Sequence, residues 1–287
     1  MLTQILMTTV LLPLALGVVI ALPGKGGSRK SVALTALLIP LGAAIASVAI
    51  EGLPAFPPVA AKDKLPVLLL GGGIIFAVLA LVLKAPLQRG VAALVSVLSL
   101  AVPAWWLGRN VLLANPTKAA TLAVVLVIVA LELFVVASSR SSKPAAAALP
   151  AALVATAIGT ALTAILGGYI GMAQMNGALA ALFGGWLLVR YIAYLRGNDD
   201  AFVLQGMAAF SFAWTAAAGV AMTVLFAPSA IPAALVLCVL PAAVFVALRW
   251  RRADFAQQPR ALRPLISAGL TALPAIIAIL IAVLNAG

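Results

Sequence analysis

The sequence predicts an all-α protein, a polytopic transmembrane bundle of about ten helices with almost no soluble mass. Three observations predict it. Hydrophobic residues make up 65% of the 287 positions and charged residues only 8%, whereas a soluble domain needs roughly a quarter of its residues charged. The apolar residues fall into runs of roughly 20, the length that crosses hydrocarbon as a helix. The alternation that a barrel strand requires is absent, and amides in lipid have no water to bond, so each run is predicted helical.

The first span covers 3–22. No positive segment precedes its apolar stretch, so it reads as a retained span rather than a cleaved signal. Spans 31–50, 66–84, 91–108 and 119–138 follow, then 146–167, 176–195, 201–226, 230–248 and 263–285. The longest connections are Glu51–Leu65, rich in Pro and Ala, and the basic segment Arg249–Leu262. The whole chain, 1–287, reads as a single integral membrane domain. Its ten spans divide near Lys143 into halves 1–143 and 144–287. Five spans per half would make the halves inverted in topology, as in many secondary transporters.

Orientation follows from the basic residues. Of the 18 Lys and Arg, 14 fall in or beside the loops after spans 1, 3, 5, 7 and 9: Lys25, Arg29, Lys30, Lys84, Arg89, Arg140, Lys143, Arg190, Arg196, Arg249, Arg251, Arg252, Arg260 and Arg263. Only Lys62, Lys64, Arg109 and Lys118 fall on the other side. The first side is therefore expected to be cytoplasmic, with both termini on the non-cytoplasmic side. High Ala content and short loops suggest the inner membrane of a bacterium.

The net charge of +12 does not require nucleic acid, because basic loops of membrane proteins meet anionic headgroups. Arg249, Arg251, Arg252, Arg260 and Arg263 are the expected headgroup collar, with a homo-oligomer or a larger membrane complex as the protein partner. The chain has no histidine and one cysteine, so no metal or other cofactor is expected; Cys238 reads as a small core residue. The adjacent Asp199 and Asp200 do not reproduce the spaced aspartate sets that hold magnesium on a diphosphate, and they suit a helix N-terminus.

Glu132, in AVVLVIVALELFVVASS, is the ionisable side chain placed well inside a span. A charge near the bilayer centre costs about 2.5–3.5 kcal/mol on insertion scales. A carboxyl there faces the bundle interior, finds a partner or stays protonated. Its functional reading is a proton or cation relay; its bland reading is packing glue. Gln205, expected inside span 8, is a polar group that would face the interior with it. Tyr169, Gln174 and Asn176, in the glycine-rich turn GGYIGMAQMNG, are either a cavity-lining segment or an ordinary turn.

Small residues at four-residue spacing let helices approach closely in lipid. Ala155, Gly159, Thr163 and Gly167 on span 6, with Gly177, Ala181 and Gly185 on span 7, are expected to pair those two spans. Pro13, Pro40, Pro103, Pro241 and Pro274 each remove a backbone donor and free a carbonyl. Together these features favour a small secondary transporter or permease with a buried carboxylate. The rival is a non-transporting anchor or assembly subunit of a larger complex. An intramembrane enzyme is disfavoured, since no nucleophile–base pair or paired acid set is present.

Overall fold

A computed structural model describes residues 2–22, 28–84, 86–138, 147–251, 255 and 257–286. Lys25, Arg140, Lys143 and Arg252 lie outside the described residues. Ten helices among them are long and apolar enough to cross a membrane. They are α1 (Thr3–Ala21), α2 (Arg29–Glu51), α3 (Ala61–Val82), α4 (Arg89–Ala114), α5 (Pro116–Ser138), α6 (Ala148–Leu166), α7 (Ile170–Leu195), α8 (Gly206–Phe226), α9 (Pro232–Trp250) and α10 (Leu262–Leu284). At about 1.5 Å per residue, helices of this length match hydrocarbon roughly 30 Å thick.

Six of the ten expected spans agree with the helices to within about three residues at both ends, the normal error of boundary reading. Four differ. The third helix starts at Ala61 and the fourth runs on to Ala114, because Lys62, Lys64 and Arg109 continue their helices instead of ending them. The seventh starts at Ile170, directly after Gly167–Gly168–Tyr169. Gly168 turns the chain with φ +79, a conformation that suits glycine, and GMAQMNG then continues as ordinary helix. The eighth starts at Gly206 rather than at 201, because Gln205 is its N-cap.

Burial arranges the bundle. In its most apolar 18-residue window, α8 is 94% buried, against 22% for α1 and 28% for α10. α8 touches α2, α3, α4, α5, α6, α7 and α9. Those seven touch one another in the closed order α2–α3–α4–α5–α9–α6–α7 and back to α2. α1 lies outside the ring against α7 and α2, and α10 lies outside it against α6 and α9. The outward faces carry large apolar side chains such as Leu6, Ile75, Leu94 and Leu131, as a lipid solvent requires.

The central helix also repairs its neighbours. Pro40 in α2 cannot donate to the carbonyl four residues back, at Ala36; the Ser211 hydroxyl of α8 donates to that oxygen at 2.7 Å. Pro103 in α4 likewise frees Ser99, and the Trp214 indole N–H of α8 donates to Ser99 O at 2.8 Å. Without water, such carbonyls need a donor from inside the protein. The exchange works in the other direction at the far end of α8. There Lys118 Nζ, from the first turn of α5, donates to Leu225 O at 2.9 Å and Ala227 O at 3.1 Å, closing C-terminal carbonyls that a cation suits. Aromatic edges complete the contact: Phe76 meets Phe210 at 5.1 Å and Trp214 at 5.0 Å, and Trp186 meets Phe212 at 5.2 Å.

Glycine sets the closest approaches. A Cβ on Gly17 would collide with the Leu182 carbonyl, and one on Gly185 with the Leu14 carbonyl, so α1 and α7 touch backbone to backbone. α6 and α7 do lie side by side, but the small residues expected to join them mostly face elsewhere. Gly177 and Gly185 meet Thr9 and Leu14 of α1; Gly159 meets Ala275 of α10 and Cys238 of α9; Gly167 meets Ala230. Thr163 contacts Cys238, and Ala155 is buried on the same helix. Ala181 is half-buried.

Two outcomes follow. Trp214→Phe should destabilise the fold by about 1–3 kcal/mol, the cost of an unsatisfied buried acceptor. In a Pro103→Ala background, where residue 103 regains its own N–H, the same change should cost less; an equal cost in both backgrounds would reject the repair role, read from unfolding in detergent micelles. Second, Gly185→Ala should destabilise strongly, whereas Gly184→Ala, with open space around it, should be neutral or stabilise by up to about 1 kcal/mol through helix propensity.

Candidate functional site

Glu132 lies on the buried face of α5 with Val125, Val129, Leu133 and Val136. It is 7% exposed. Six residues separate it from Ser138, the end of α5, or about 9 Å along the axis. It therefore sits in the half of the bundle nearer the basic loops, not at mid-depth. The polar group beside its carboxyl is the backbone of Ala243 on α9, two residues beyond Pro241. Its Oε1 atom has no hydrogen-bond partner among the described residues. Buried polar atoms are usually satisfied; Thr9 Oγ1, Ser96 Oγ, Thr156 Oγ1, Asn176 Oδ1 and Trp186 Nε1 share this state among the described residues, and Glu132 contributes the carboxyl among them.

The other expected residues do not join it. Gln205 is exposed and precedes α8 as its N-cap, with extended backbone. Gly206 follows with φ +48, so the helix starts after Gln205 and leaves the side chain at the surface. Tyr169 is the N-cap of α7, at the opposite end from Glu132. Gln174 is half-buried one turn further on. Asn176 is completely buried between α7 and α8. Its Nδ2 donates to Met172 O at 2.8 Å and to Thr223 Oγ1 at 3.2 Å, and Thr223 Oγ1 donates to Gly219 O at 2.9 Å. Gly219 lacks the Cβ that would occupy the space of the Asn176 carboxamide. Asn176 Oδ1 has no partner among the described residues.

Two clefts among the described residues can be set against these positions. One, of about 20 Å³, is lined by Ser99, Pro103, Leu126 and Trp214 among others. The other, of about 250 Å³, opens where α6, α9 and α10 meet at the end away from the basic loops. Glu132, Gln205, Tyr169, Gln174 and Asn176 line neither. Among the described residues no group of three or more His, Cys, Asp or Glu is placed to hold a metal.

The basic segment is more structured than its composition suggests. Arg260 Nε and Nη2 donate to Tyr194 O at 3.0 and 2.7 Å; Nη2 also pairs with Asp199 Oδ1 at 2.8 Å. Its guanidinium lies 4.5 Å over the Tyr194 ring. Arg260 is thus a side-chain cap on the end of α7, and Tyr191 Oη adds a bond to Ala261 O at 3.0 Å. Arg263 Nε donates to Gln258 O at 3.0 Å. Arg251 is exposed and Arg249 half-buried in the last turn of α9. Arg190, counted in the sequence with the loops, lies within α7 and stacks 5.2 Å over the Trp186 ring.

The arrangement defines a class: a multi-pass membrane protein, a helical bundle built around one buried helix. Comparison with family models, curated proteins and solved structures finds no match.

At the opposite end, burial and then the nearby Glu51 carboxylate raise the Tyr169 phenol above its ordinary value of 10.0. The folded chain therefore holds this proton to higher pH than the unfolded chain. That stabilisation is full below the ordinary value and is lost as pH rises through the raised one. Glu51→Gln should move the Tyr169 ionisation to lower pH, but only part of the way back to its ordinary value, since burial is the larger cause; an unchanged phenolate absorbance titration, compared with Tyr169→Phe as blank, would contradict the contact.

Proposed function

We propose that this chain is a small secondary transporter or permease, with Glu132 as the carboxyl that couples protons or contacts the solute. The observation that carries the reading is the unpartnered Oε1 of a carboxyl 7% exposed among membrane helices. Intramembrane acids are rare and usually mark ion or substrate pathways. The setting supports it, because the neighbour of Glu132 is α9, a helix interrupted by Pro241. A helix without one backbone bond bends more easily than an intact one. A carboxyl that exchanges its proton as such a helix shifts is the minimum equipment for coupling. The role is transport without chemistry on the solute. The basic end is taken as cytoplasmic, in the inner membrane of a bacterium, with Arg249, Arg251 and Arg263 facing anionic headgroups.

The rival is a non-transporting subunit of a larger membrane complex, in which the Glu132 carboxyl is packing glue between helices. Liposomes under an imposed pH gradient separate the readings. Wild-type protein should carry protons, and Glu132→Gln should abolish that flux while leaving the folded protein intact. Equal flux in both would remove Glu132 from coupling; no flux in a folded wild type would favour the assembly subunit.

A further inference from the structure

The larger cleft opens beside a row of buried hydroxyls. It is lined by Thr163, Gly167, Ser229, Ala230 and Asn285 among others, with no charged side chain. Thr163, only 1% exposed, begins a row that continues along α6 through Thr160 and Thr156, 0% and 4% exposed. Spacings of three and four residues put all three on one helix face. That face meets α9. Thr163 Oγ1 lies 3.6 Å from Cys238 Sγ, and Gly159 beside it leaves room for the same sulfur.

Hydroxyls in membrane helices often satisfy themselves on the carbonyl one turn back. Thr160 does so, donating to Thr156 O at 2.7 Å. Thr156 does not: its Oγ1 is buried without a partner among the described residues. The row therefore starts at an open cleft and ends at an unsatisfied hydroxyl. Thr156 is eight residues from Ala148, the start of α6, while Glu132 is six from Ser138. Both lie at nearly the same depth from the basic end. α9 stands between them, presenting Cys238 to the threonines and Ala243 to Glu132. Pro241 lies between those two contacts.

We propose that the cleft is the mouth of a solute path and that Thr163, Thr160 and Thr156 form its wall against α9. The solute class is a small, uncharged, hydrogen-bonding molecule. The uncharged lining sets the polarity, and a volume of about 250 Å³, below the usual range for drug-sized ligands, sets the size. The inference rests on the transport reading but not on the coupling role of Glu132.

Cysteine accessibility tests it in lipid nanodiscs. The chain has one cysteine, so Cys238→Ser gives a clean background for Thr163→Cys, Thr160→Cys and Thr156→Cys. The neutral reagent methyl methanethiosulfonate should modify all three, fastest at 163 and slowest at 156. Its sulfonatoethyl and trimethylammonioethyl analogues should reach 163 alone. Ser229→Trp, which fills the mouth, should slow neutral modification at 160 and 156. Unreactive 160 and 156 would make the cleft a shallow dent. Free passage of charged reagents would overturn the solute class, and indifference to Ser229→Trp would overturn the route. None of these rates depends on Glu132, so loss of the path and loss of coupling are read separately.

Discussion

A carbonyl freed by proline inside a membrane is relieved by a neighbouring helix, a polar side chain, an ordered water or a local change of the helix; at Pro40 and Pro103 the relief is a side chain of α8. The rest of this bundle depends on that relief. α2 and α4 each carry a proline in mid-helix, and each freed oxygen is met by a side chain of α8, Ser211 for Ala36 and Trp214 for Ser99. A helix that serves two neighbours in this way has to be surrounded by them. The ring of seven helices around α8 is the geometric consequence. Lys118 returns the service by closing the carbonyl end of α8, so the centre and its ring are tied by backbone satisfaction as well as by packing.

Buried polar groups here fall into two kinds with different consequences. Ser211, Trp214, Lys118 and Arg260 are committed to named oxygens and hold helices in place. Glu132 Oε1 and Thr156 Oγ1 have no such commitment among the described residues, and they flank the same proline-interrupted helix. Thr9 Oγ1, Ser96 Oγ, Asn176 Oδ1 and Trp186 Nε1 are also without a partner among the described residues; what sets Glu132 and Thr156 apart is their place on either side of α9.

Most of the architecture was legible because it follows from periodless apolar length, which needs no tertiary information. The ten spans and the prolines belong to this category. What was not legible is direction around the helix axis. The glycines of α6 and α7 were read as joining those two helices, whereas Gly185 meets Leu14 and Gly159 meets Ala275. Spacing identifies a stripe without naming its partner. Gln205 was placed inside a helix because its neighbours are apolar, and the structure puts it at the cap since Gly206 starts α8 later. Arg260 looked like one member of a basic cluster, and only the fold shows that the end of α7 lies within its reach. The central position of α8 had one faint signal, Ser211, Thr215, Gly219 and Thr223 at four-residue spacing in a helix with no charge, a pattern that suits a helix with no lipid-facing side.

Amide hydrogen exchange in lipid nanodiscs measures the central claim most directly. If α8 is the shared support of the ring, the amides of Gly206–Phe226 should exchange slowest of all ten helices, with α1 and α10, outside the ring, fastest. Exchange of α8 at the rate of α1 or α10 would contradict the account, because a helix on the periphery cannot satisfy the carbonyls of α2 and α4.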